Sequence, residues 1–353
     1  LFDQPDYSRR MVYWLPWLFG YNTYNRLPVG VMVYSGMVPG YDYGISLVPL
    51  YDYVHQTMAG FGTVKKTWYR RWGFKKAETA LSGDRYFGHS GLHLGFTGTR
   101  RPTLHASPSF DVKADYFYHD LYDQAAFNPD LYSTGTLSTL RFQGTWRRVY
   151  NPLFHLSATA GIEGALAGGD FWKGELSFQG SYRWTRAITS TWRAWVGSFF
   201  VDSDVPQQYE TFMGGGVDPD FEQRYVLDRM NGFTGGKYNL YDEQYLAAGP
   251  GLRGRTLLEE STSTNVFSTR QPAFGINLDQ SLPKLPLKLF LDLGGNRDVS
   301  LMTDAGLILD LSGLQLIIPL YQSWDGDQTP TDLKWIRDRL RFTMSVPGIR
   351  FGR

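Results

Sequence analysis

Residues 287–294 have the sequence LKLFLDLG, in which leucine occupies every second position. The four leucines would share one face of an extended chain, and the opposite face would carry Lys288, Phe290, Asp292 and Gly294. A period of two predicts a β-strand. Because one face is purely leucine and the other carries a single carboxylate, the stretch predicts a strand with one side suited to lipid and one polar side.

The same alternation recurs in the middle of the chain. Residues 175–185 place Leu, Phe, Gly, Tyr and Trp on one face, and residues 141–147 and 156–162 follow the same rule. Alternation alone is also typical of a soluble β-sandwich. These predicted strands run for about ten residues or more, which is the length that crosses a bilayer at a tilt. Strands of soluble sheets usually have about five or six.

Composition agrees with a membrane barrel and excludes other classes of protein. The 353-residue chain has a net charge of +1, which gives no electrostatic case for binding nucleic acid. Aromatic residues make up 16%, a proportion that suits girdles at both membrane interfaces. The chain has no apolar run of about 18 residues, which excludes a transmembrane helix. It has no cysteine, which excludes a disulfide framework.

The lengths of the predicted turns give a second argument for a barrel. Short connections alternate with longer ones, and the longest lie at residues 119–131, 207–269 and 322–334. Short turns on one rim and long loops on the other are typical of outer-membrane barrels. About eleven strands precede the largest loop and about five follow it. We therefore predict an all-β fold, a transmembrane antiparallel β-barrel of about 16 strands.

The predicted organisation has a lead-in or linker at residues 1–10 and a barrel at residues 11–353. Within the barrel, residues 203–269 form a large extracellular loop that we expect to fold into the lumen. Residues 70–80 are predicted as the fifth strand, although a cluster of Arg and Lys blurs the alternation there. The chain starts at Leu1 without a signal peptide, so we expect a signal and an N-terminal domain to precede it.

Residues 249–255, with the sequence GPGLRGR, form the most unusual part of the large loop. Three glycines and a proline predict a tight turn with several positions free to adopt positive φ. The turn carries two guanidiniums, which are suited to bidentate pairing with carboxylates. Arg253 on a re-entrant loop and Asp292 on the inner wall would therefore form a natural ion pair.

These motifs resemble those of the outer-membrane assembly and secretion superfamily that includes BamA, TamA and the two-partner secretion transporters. The resemblance rests on a Leu-Arg-Gly loop tip followed by a Phe-x-Asp-x-Gly strand. It implies that the loop enters the lumen and that its arginine contacts the acidic inner wall. The residues implied are Gly251, Leu252, Arg253 and Gly254 in the loop and Phe290, Asp292 and Gly294 in the strand. The sequence departs from the family pattern at Arg255, where Tyr or Phe is usual.

The resemblance also implies a function at the seam between the first and last strands, at about residues 11–20 and 337–346. A seam with few hydrogen bonds exposes edge groups that can pair with an incoming strand. The seam residues we select are Tyr13, Trp14, Phe342, Met344 and Gly348. Gly348 follows Pro347, and the pair either weakens barrel closure or marks an ordinary chain end.

The expected role is therefore insertion, assembly or translocation of proteins at the outer membrane of a Gram-negative cell. The expected partners are outer-membrane lipids including lipopolysaccharide, unfolded outer-membrane or secreted clients, and periplasmic or lipoprotein accessory subunits. One alternative is a barrel that anchors an N-terminal peptidase-like domain. Residues 18–26 and 338–343 resemble barrels joined to zinc aminopeptidase-like domains in Bacteroidetes-type bacteria. The other alternative is a passive porin whose loop constricts the pore.

The sequence contains no recognisable catalytic or metal-binding motif. Its six histidines show no H-E-x-x-H spacing, no Gly-Lys-Ser/Thr follows its glycine clusters, and no G-x-S-x-G elbow occurs. We therefore expect neither enzymatic activity nor a cofactor. The histidines, His89 and His93 among them, are interpreted as solvated or lumenal. Acidic residues of the large loop, including Asp218 and Asp220, are interpreted as solvated rather than calcium-binding.

Overall fold

A computed structural model of the chain describes most of the strands and parts of the large loop. The described residues are 12–17, 27–35, 42–86, 88–101, 108–123, 132–214, 219–220, 227–230, 249–254, 268–297, 301–311, 314–323, 327–328, 336 and 340–344. The predicted lead-in at residues 1–10, together with Arg255 and Gly348, lies outside them. Among the helices of the described part, none has the length and apolar character needed to cross a membrane.

Nearly all of the described chain is β-structure. A 3₁₀ turn occurs at Gln207–Tyr209. The strands are β1 (Val12–Trp17), β2 (Val29–Ser35), β3 (Tyr43–Asp52), β4 (Thr57–Arg71), β5 (Phe74–Tyr86), β6 (His89–Arg100), β7 (Ser109–Leu121), β8 (Gly135–Asn151), β9 (Phe154–Ala167), β10 (Asp170–Arg183), β11 (Thr189–Asp204), β12 (Thr211–Phe212), β13 (Leu227–Met230), β14 (Ser268–Thr269), β15 (Ala273–Ser281), β16 (Leu287–Asn296), β17 (Met302–Leu311), β18 (Leu314–Ser323), β19 (Asp327–Gln328) and β20 (Arg341–Met344).

All but two of the strands form one antiparallel sheet in which most neighbours along the chain are neighbours in space, and β12 and β14 form a separate two-stranded sheet. Each of β1 to β10 pairs with the strand that follows it, β11 pairs with β15, and the order continues through β16, β17 and β18 to β20. Eleven of the described strands thus precede the large loop, and five principal strands follow it, namely β15, β16, β17, β18 and β20. The prediction of an all-β antiparallel fold with about 16 principal strands is confirmed.

Alternation along each strand separates an apolar outer face from an inner face. On the outer face, Phe142 of β8 is exposed, and so are Leu176 and Val196, which lie opposite each other in β10 and β11. On the inner face, Trp17, Val48, Leu50, Tyr86 and Leu121 from four different strands form a buried cluster around Phe212 of the large loop. The sheet therefore curves around the loop, as a barrel with an occupied lumen requires.

Two predicted boundaries are wrong. The fifth strand does not span residues 70–80, because β4 continues to Arg71 and β5 begins at Phe74. The turn between them uses left-handed backbone at Trp72 and Gly73, with φ of 54° and 77°. The large loop also begins later than residue 203, since β11 continues through Asp204. In both places the alternation extends into charged residues, and sequence alone did not distinguish strand from turn.

The two edges of the sheet are not paired with each other in the described part of the chain. β1 pairs with β2 alone, over residues 12–17. β20 pairs on one side with β18 and on the other with β13, a segment of the large loop. The register places Leu227 opposite Met344 and Met230 opposite Arg341. The loop thus contributes a strand to the outer edge of the last strand.

Candidate functional site: the lumenal loop and its anchors

The tip of the large loop, residues 249–254, lies directly against the inner face of β11 and β15. Gly249 and Gly251 have φ of 55° and 68°, a conformation that favours glycine. Arg193 of β11 donates from Nη2 to the Gly249 carbonyl at 2.6 Å. Gly275 of β15 allows the close approach, since a Cβ there would lie 2.3 Å from the carbonyl oxygen of Pro250. The turn predicted from the glycines is therefore bound directly to β11 and β15.

Arg253 is bound to Asp292 through three side-chain contacts. Its Nε donates to Oδ2 of Asp292 at 2.9 Å and to Oδ1 at 3.1 Å, and its Nη2 donates to Oδ1 at 2.6 Å. The backbone N–H of Arg253 also donates to Oδ2, at 2.8 Å. Asp292 is completely buried. This bidentate, charge-assisted pair is of the strong kind, and it brings together two residues that the sequence analysis selected.

A second carboxylate and an aromatic ring complete the environment of the guanidinium. Nη1 of Arg253 donates to Oδ1 of Asp279 at 2.5 Å. The guanidinium carbon lies 4.6 Å from the centre of the Phe290 ring, within the range of a cation–π contact. Burial by itself would lower the pKa of Arg253, but Asp292 and Asp279 outweigh that effect and hold the pKa above its usual value. The side chain is therefore a permanent cation in the lumen.

Gly254 binds the tip to β17 and β18. Its N–H donates to Oδ2 of Asp304 at 3.0 Å, and Nε2 of Gln322 donates to its carbonyl oxygen. A Cβ at Gly254 would lie 2.7 Å from Cγ of Asp304, so this position requires glycine. Asp304 lies directly opposite Asp292 in the register of β16 and β17. The backbone of the tip thus separates two buried carboxylates.

Leu252 fills an apolar pocket beside the ion pair. It is completely buried in a cluster with Trp195, Met213, Ala273 and Met302. Gly294 provides room for it, because a Cβ there would lie 3.0 Å from Cδ2 of Leu252. The backbone N–H of Leu252 donates to the Met213 carbonyl at 2.9 Å. The predicted role of Leu252 and Gly294 at the loop contact is consistent with this packing.

Asp220 forms a second anchor, between the loop and the opposite wall. Here the loop supplies the carboxylate and the wall supplies the arginine. Arg141 of β8 donates from Nη2 to Oδ2 of Asp220. The hydroxyl of Tyr209 donates to Oδ1 at 2.7 Å, and Nε2 of His119 lies 3.5 Å from the same oxygen. Asp220 is buried. Its interpretation as a solvated loop carboxylate is wrong, because the loop folds inward at this point.

The wall around Asp220 is itself held by an ion-pair network. Glu163 of β9 accepts from Arg141 at 2.8 Å and lies 3.0 Å from Nζ of Lys173. Lys173 also donates to the carbonyl oxygen of Tyr209 at 3.2 Å. The ring of Tyr209 packs on that of Phe171, with centroids 5.0 Å apart. Arg141 is thereby held between one wall carboxylate and one loop carboxylate.

The two anchors carry opposite charges and are joined through the loop. The loop contributes a carboxylate to one wall and a guanidinium to the other, and the Met213–Leu252 hydrogen bond connects the two arms. Arg270 and Glu210 close the base of the loop with a contact of 2.9 Å. Exchanging the anchors would place like charges together, so this arrangement specifies a single docked orientation.

His89 and His93 are part of the inner wall. His89 is fully buried, with Nε2 at 2.6 Å from a carboxylate oxygen of Asp84. His93 lies 2.9 Å from Asp115 and stacks on Phe117. The lumenal interpretation fits both, but His89 is not solvated. Within the described residues, no group of three or more possible ligands is arranged to hold a metal ion.

The selected seam residues lie at separate edges in the described part of the chain. Tyr13 of β1 stacks on Tyr34 with ring centroids 5.4 Å apart, and Trp14 is 67% exposed on the outer face. Phe342 and Met344 belong to β20, where they lie opposite residues of β13 and β18. The structure therefore brings the loop and strand motif residues together but does not pair β1 with β20 there.

Several residues of the site were not selected from the sequence. Asn277, for example, donates from Nδ2 to the Gly251 carbonyl at 2.9 Å and to Asp292 at 3.1 Å. Alternation in β15 places Asn277 on the same inner face as Asp279. The sequence therefore indicated that Asn277 faces the lumen, but it did not show that Asn277 contacts Gly251 and Asp292. The others are Arg141, Glu163, Lys173, Arg193, Asp220, Asp279, Asp304 and Gln322.

Comparison with known proteins gives likenesses of structure at low sequence identity. No protein-family profile and no curated protein sequence matches the chain. The crystal structure of BamA from Haemophilus ducreyi lacking POTRA domains 1–3 is similar, with a TM-score of 0.43 and 10% identity over 95% of this chain and 70% of that chain. The copper transporter OprC has a TM-score of 0.36 and 11% identity over 91% of this chain and 56% of its own. At these values neither likeness assigns a role to a residue of this chain.

Proposed function

We propose that this chain is an outer-membrane β-barrel that assists the insertion, assembly or translocation of other proteins by pairing with their strands at its seam. The observation that carries the proposal is the edge of β20 that faces away from β18. Residues 341–344 of that edge pair with residues 227–230 of the large loop. An edge that accepts a strand through main-chain hydrogen bonds supplies the chemistry that strand capture needs.

The first strand supplies the other edge of the seam. Within the described residues, β1 pairs only with β2, so the backbone groups on its other side are directed toward the seam. Trp14 is exposed on the outer face beside this edge. A client strand that added here would extend the sheet with main-chain hydrogen bonds and place alternate side chains in lipid. Such binding is independent of client sequence.

The occupied lumen favours this role over that of a passive porin. A diffusion porin needs a water-filled channel. Here the loop is anchored to one wall through Arg253 and to another through Asp220, and Phe212 packs into an apolar cluster on a third part of the wall. Three separate attachments across the lumen support a plugged barrel whose active surface is its edge.

The proposal implies a defined set of partners. Outer-membrane lipids, including lipopolysaccharide, would surround the apolar outer face. Unfolded outer-membrane or secreted proteins would be the clients. Periplasmic or lipoprotein subunits would deliver those clients, because the strand edges by themselves carry no sequence selectivity.

An engineered disulfide at the seam tests the proposal. The chain has no native cysteine, and Asp228 lies directly opposite Thr343. The variant Asp228→Cys, Thr343→Cys is reconstituted in vesicles, and the folding rate of an unfolded eight-stranded outer-membrane protein is measured. We expect faster client folding with the reduced variant than with empty vesicles, and loss of the acceleration after oxidation.

The matched control is a disulfide within the wall. Thr145 and Thr159 lie directly opposite each other in β8 and β9, with hydroxyl oxygens 3.1 Å apart. The variant Thr145→Cys, Thr159→Cys should accelerate client folding whether reduced or oxidised. Equal activity of the oxidised seam variant, or a large steady conductance of the wild type in planar bilayers, would contradict strand capture. The conductance result would favour a porin.

A further inference from the structure

The outer face carries its positive charge near one rim. We call the end where β4 meets β5, β6 meets β7 and β8 meets β9 the short-turn rim. Alternation places four cations there on the lipid side: Lys66 follows Val64, Lys75 shares a face with Leu81, Arg100 with Leu94, and Arg148 with Phe142. We name this set, Lys66, Lys75, Arg100 and Arg148, the outer cationic collar.

The collar is interleaved with aromatic side chains on the same face. Nζ of Lys66 lies 4.6 Å from the centre of the Tyr43 ring and 5.3 Å from that of Trp68. The guanidinium of Arg148 lies 4.4 Å from the centre of the Tyr150 ring. Aromatic rings of this kind lie at the level of lipid headgroups. Lys66 and Arg148 therefore lie at headgroup depth beside these rings, and Nζ of Lys66 also donates to the Tyr43 hydroxyl.

Pairing across the strands links Arg100 and Arg148, two members of the collar, through aromatic side chains. Arg100 of β6 lies opposite Phe110 of β7, and Phe110 lies opposite Trp146 of β8. Arg148 follows two residues after Trp146 on the same face. Cation, ring, ring and cation thus succeed one another across three adjacent strands, at one level on the barrel.

The opposite rim carries outward charges of both signs. Among the described residues that alternation directs outward there, Arg85 lies over the Tyr122 ring at 6.0 Å. It is accompanied by Asp120, two residues after the exposed Tyr118. The outward charges found there are therefore one cation and one anion, whereas the collar is a set of four cations.

We infer that the outer cationic collar is a binding surface for anionic phospholipids, which hold the short-turn rim in the leaflet that contains them. A phospholipid phosphate carries the complementary charge, and a lipid-facing cation at headgroup depth meets lipid phosphates before any soluble anion. An attraction of about 1 kcal/mol per cation corresponds to roughly a fivefold preference for an anionic headgroup. The inference rests on the membrane placement in the proposed function and is independent of strand capture.

Quenching of tryptophan fluorescence by brominated lipids tests the inference. The full chain is reconstituted in vesicles of phosphatidylcholine mixed with phosphatidylglycerol, with bromine on the acyl chains of one lipid at a time. The collar variant is Lys66→Gln, Lys75→Gln, Arg100→Gln, Arg148→Gln. We expect the wild type to bind phosphatidylglycerol about fivefold more tightly than phosphatidylcholine, with a preference that weakens in high salt. The collar variant should bind the two lipids equally.

The matched control removes four cations from the inner face. Lys76, Lys113, Arg147 and Lys288 pair there with carboxylates, so the variant with Gln at these four positions has the same net charge as the collar variant. Its lipid preference should equal that of the wild type. A wild type without preference, a collar variant that keeps it, or a control that loses it equally would overturn the inference. A chain that enters neither kind of vesicle would overturn the membrane placement as well, whereas failure of the client-folding assay alone would leave the collar intact.

Discussion

Removal of the Arg253 guanidinium should undock the tip of the large loop. The substitution Arg253→Gln deletes the contacts of 2.6 to 3.1 Å to Asp292 and the contact of 2.5 Å to Asp279. Asp292 is completely buried and, among the described residues, would keep the backbone N–H at position 253 and Asn277 as donors. Breaking a buried ion pair by removing one partner costs about 3–5 kcal/mol. At tenfold per 1.4 kcal/mol, the open population of the tip should rise roughly one hundred- to several thousand-fold.

A buried thiol beneath the tip provides the assay. Met213 is fully buried against Leu252, so Met213→Cys in this cysteine-free chain reports each opening of the tip by its rate of maleimide labelling. When opening and closing are fast, that rate follows the open population. We expect Arg253→Gln in the Met213→Cys background to be labelled at least one hundred times faster than the background alone.

The double substitution Arg253→Gln, Asp292→Asn separates the ion pair from its parts. It removes the buried charge that the single substitution leaves uncompensated, so it should label more slowly than Arg253→Gln. A single variant that labels within twofold of the background would refute the reasoning. A double variant that labels faster than the single would refute it equally, since the cost would then lie in packing.

Three further outcomes follow from the site and use the same thiol reporter. Asp220→Asn should raise labelling about tenfold, less than Arg253→Gln because Arg141 keeps Glu163, whereas Asp202→Asn at an exposed site should change nothing. Gly254→Ala, whose Cβ would meet Asp304 at 2.7–2.9 Å, should cost about 1–3 kcal/mol; Gly144→Ala, with its nearest atom at 3.4 Å, is the control. Because the pKa of Arg253 is raised in the folded protein, its ion pairs stabilise the docked tip fully at any pH below the pKa of an unfolded arginine. This stabilisation is lost only as the pH rises through the folded-state pKa. Labelling corrected for maleimide reactivity should therefore stay constant from about pH 7 to 10. Equal effects of site and control variants, or release of the tip within that pH range, would contradict these expectations.

Local pattern was sufficient to predict the class of fold. A period of two in residues 175–185 and 287–294 specifies which side chains share a face, because successive side chains of a strand point in opposite directions. The number of strands before and after the large loop followed from the same periodicity. Boundaries were less accurate where charge interrupts the pattern. At residues 70–76, the turn at Trp72 and Gly73 depends on backbone angles that the alternation does not encode.

The site was predictable only where both partners had a recognisable local motif. Arg253 lies on a glycine-rich turn, and Asp292 is the single acid of a leucine strand. Asp304 has no such signal, and it reaches the tip because the register of β16 and β17 places it opposite Asp292. A shift of one residue would turn it to the lipid side. Cross-strand register is a property of the paired sheet, so single strands do not reveal it.

Local pattern in the sequence specifies long antiparallel strands with an apolar and a polar face, and a glycine-rich loop with an arginine suited to a wall carboxylate. Tertiary structure alone decided the second anchor, since Asp220 and Arg141 are 79 positions apart and meet only when the loop enters the lumen. It also decided that residues 227–230 occupy the edge of β20. Periodicity acts between neighbours along the chain, whereas charge pairing and edge pairing depend on which distant segments the folded sheet and loop bring together.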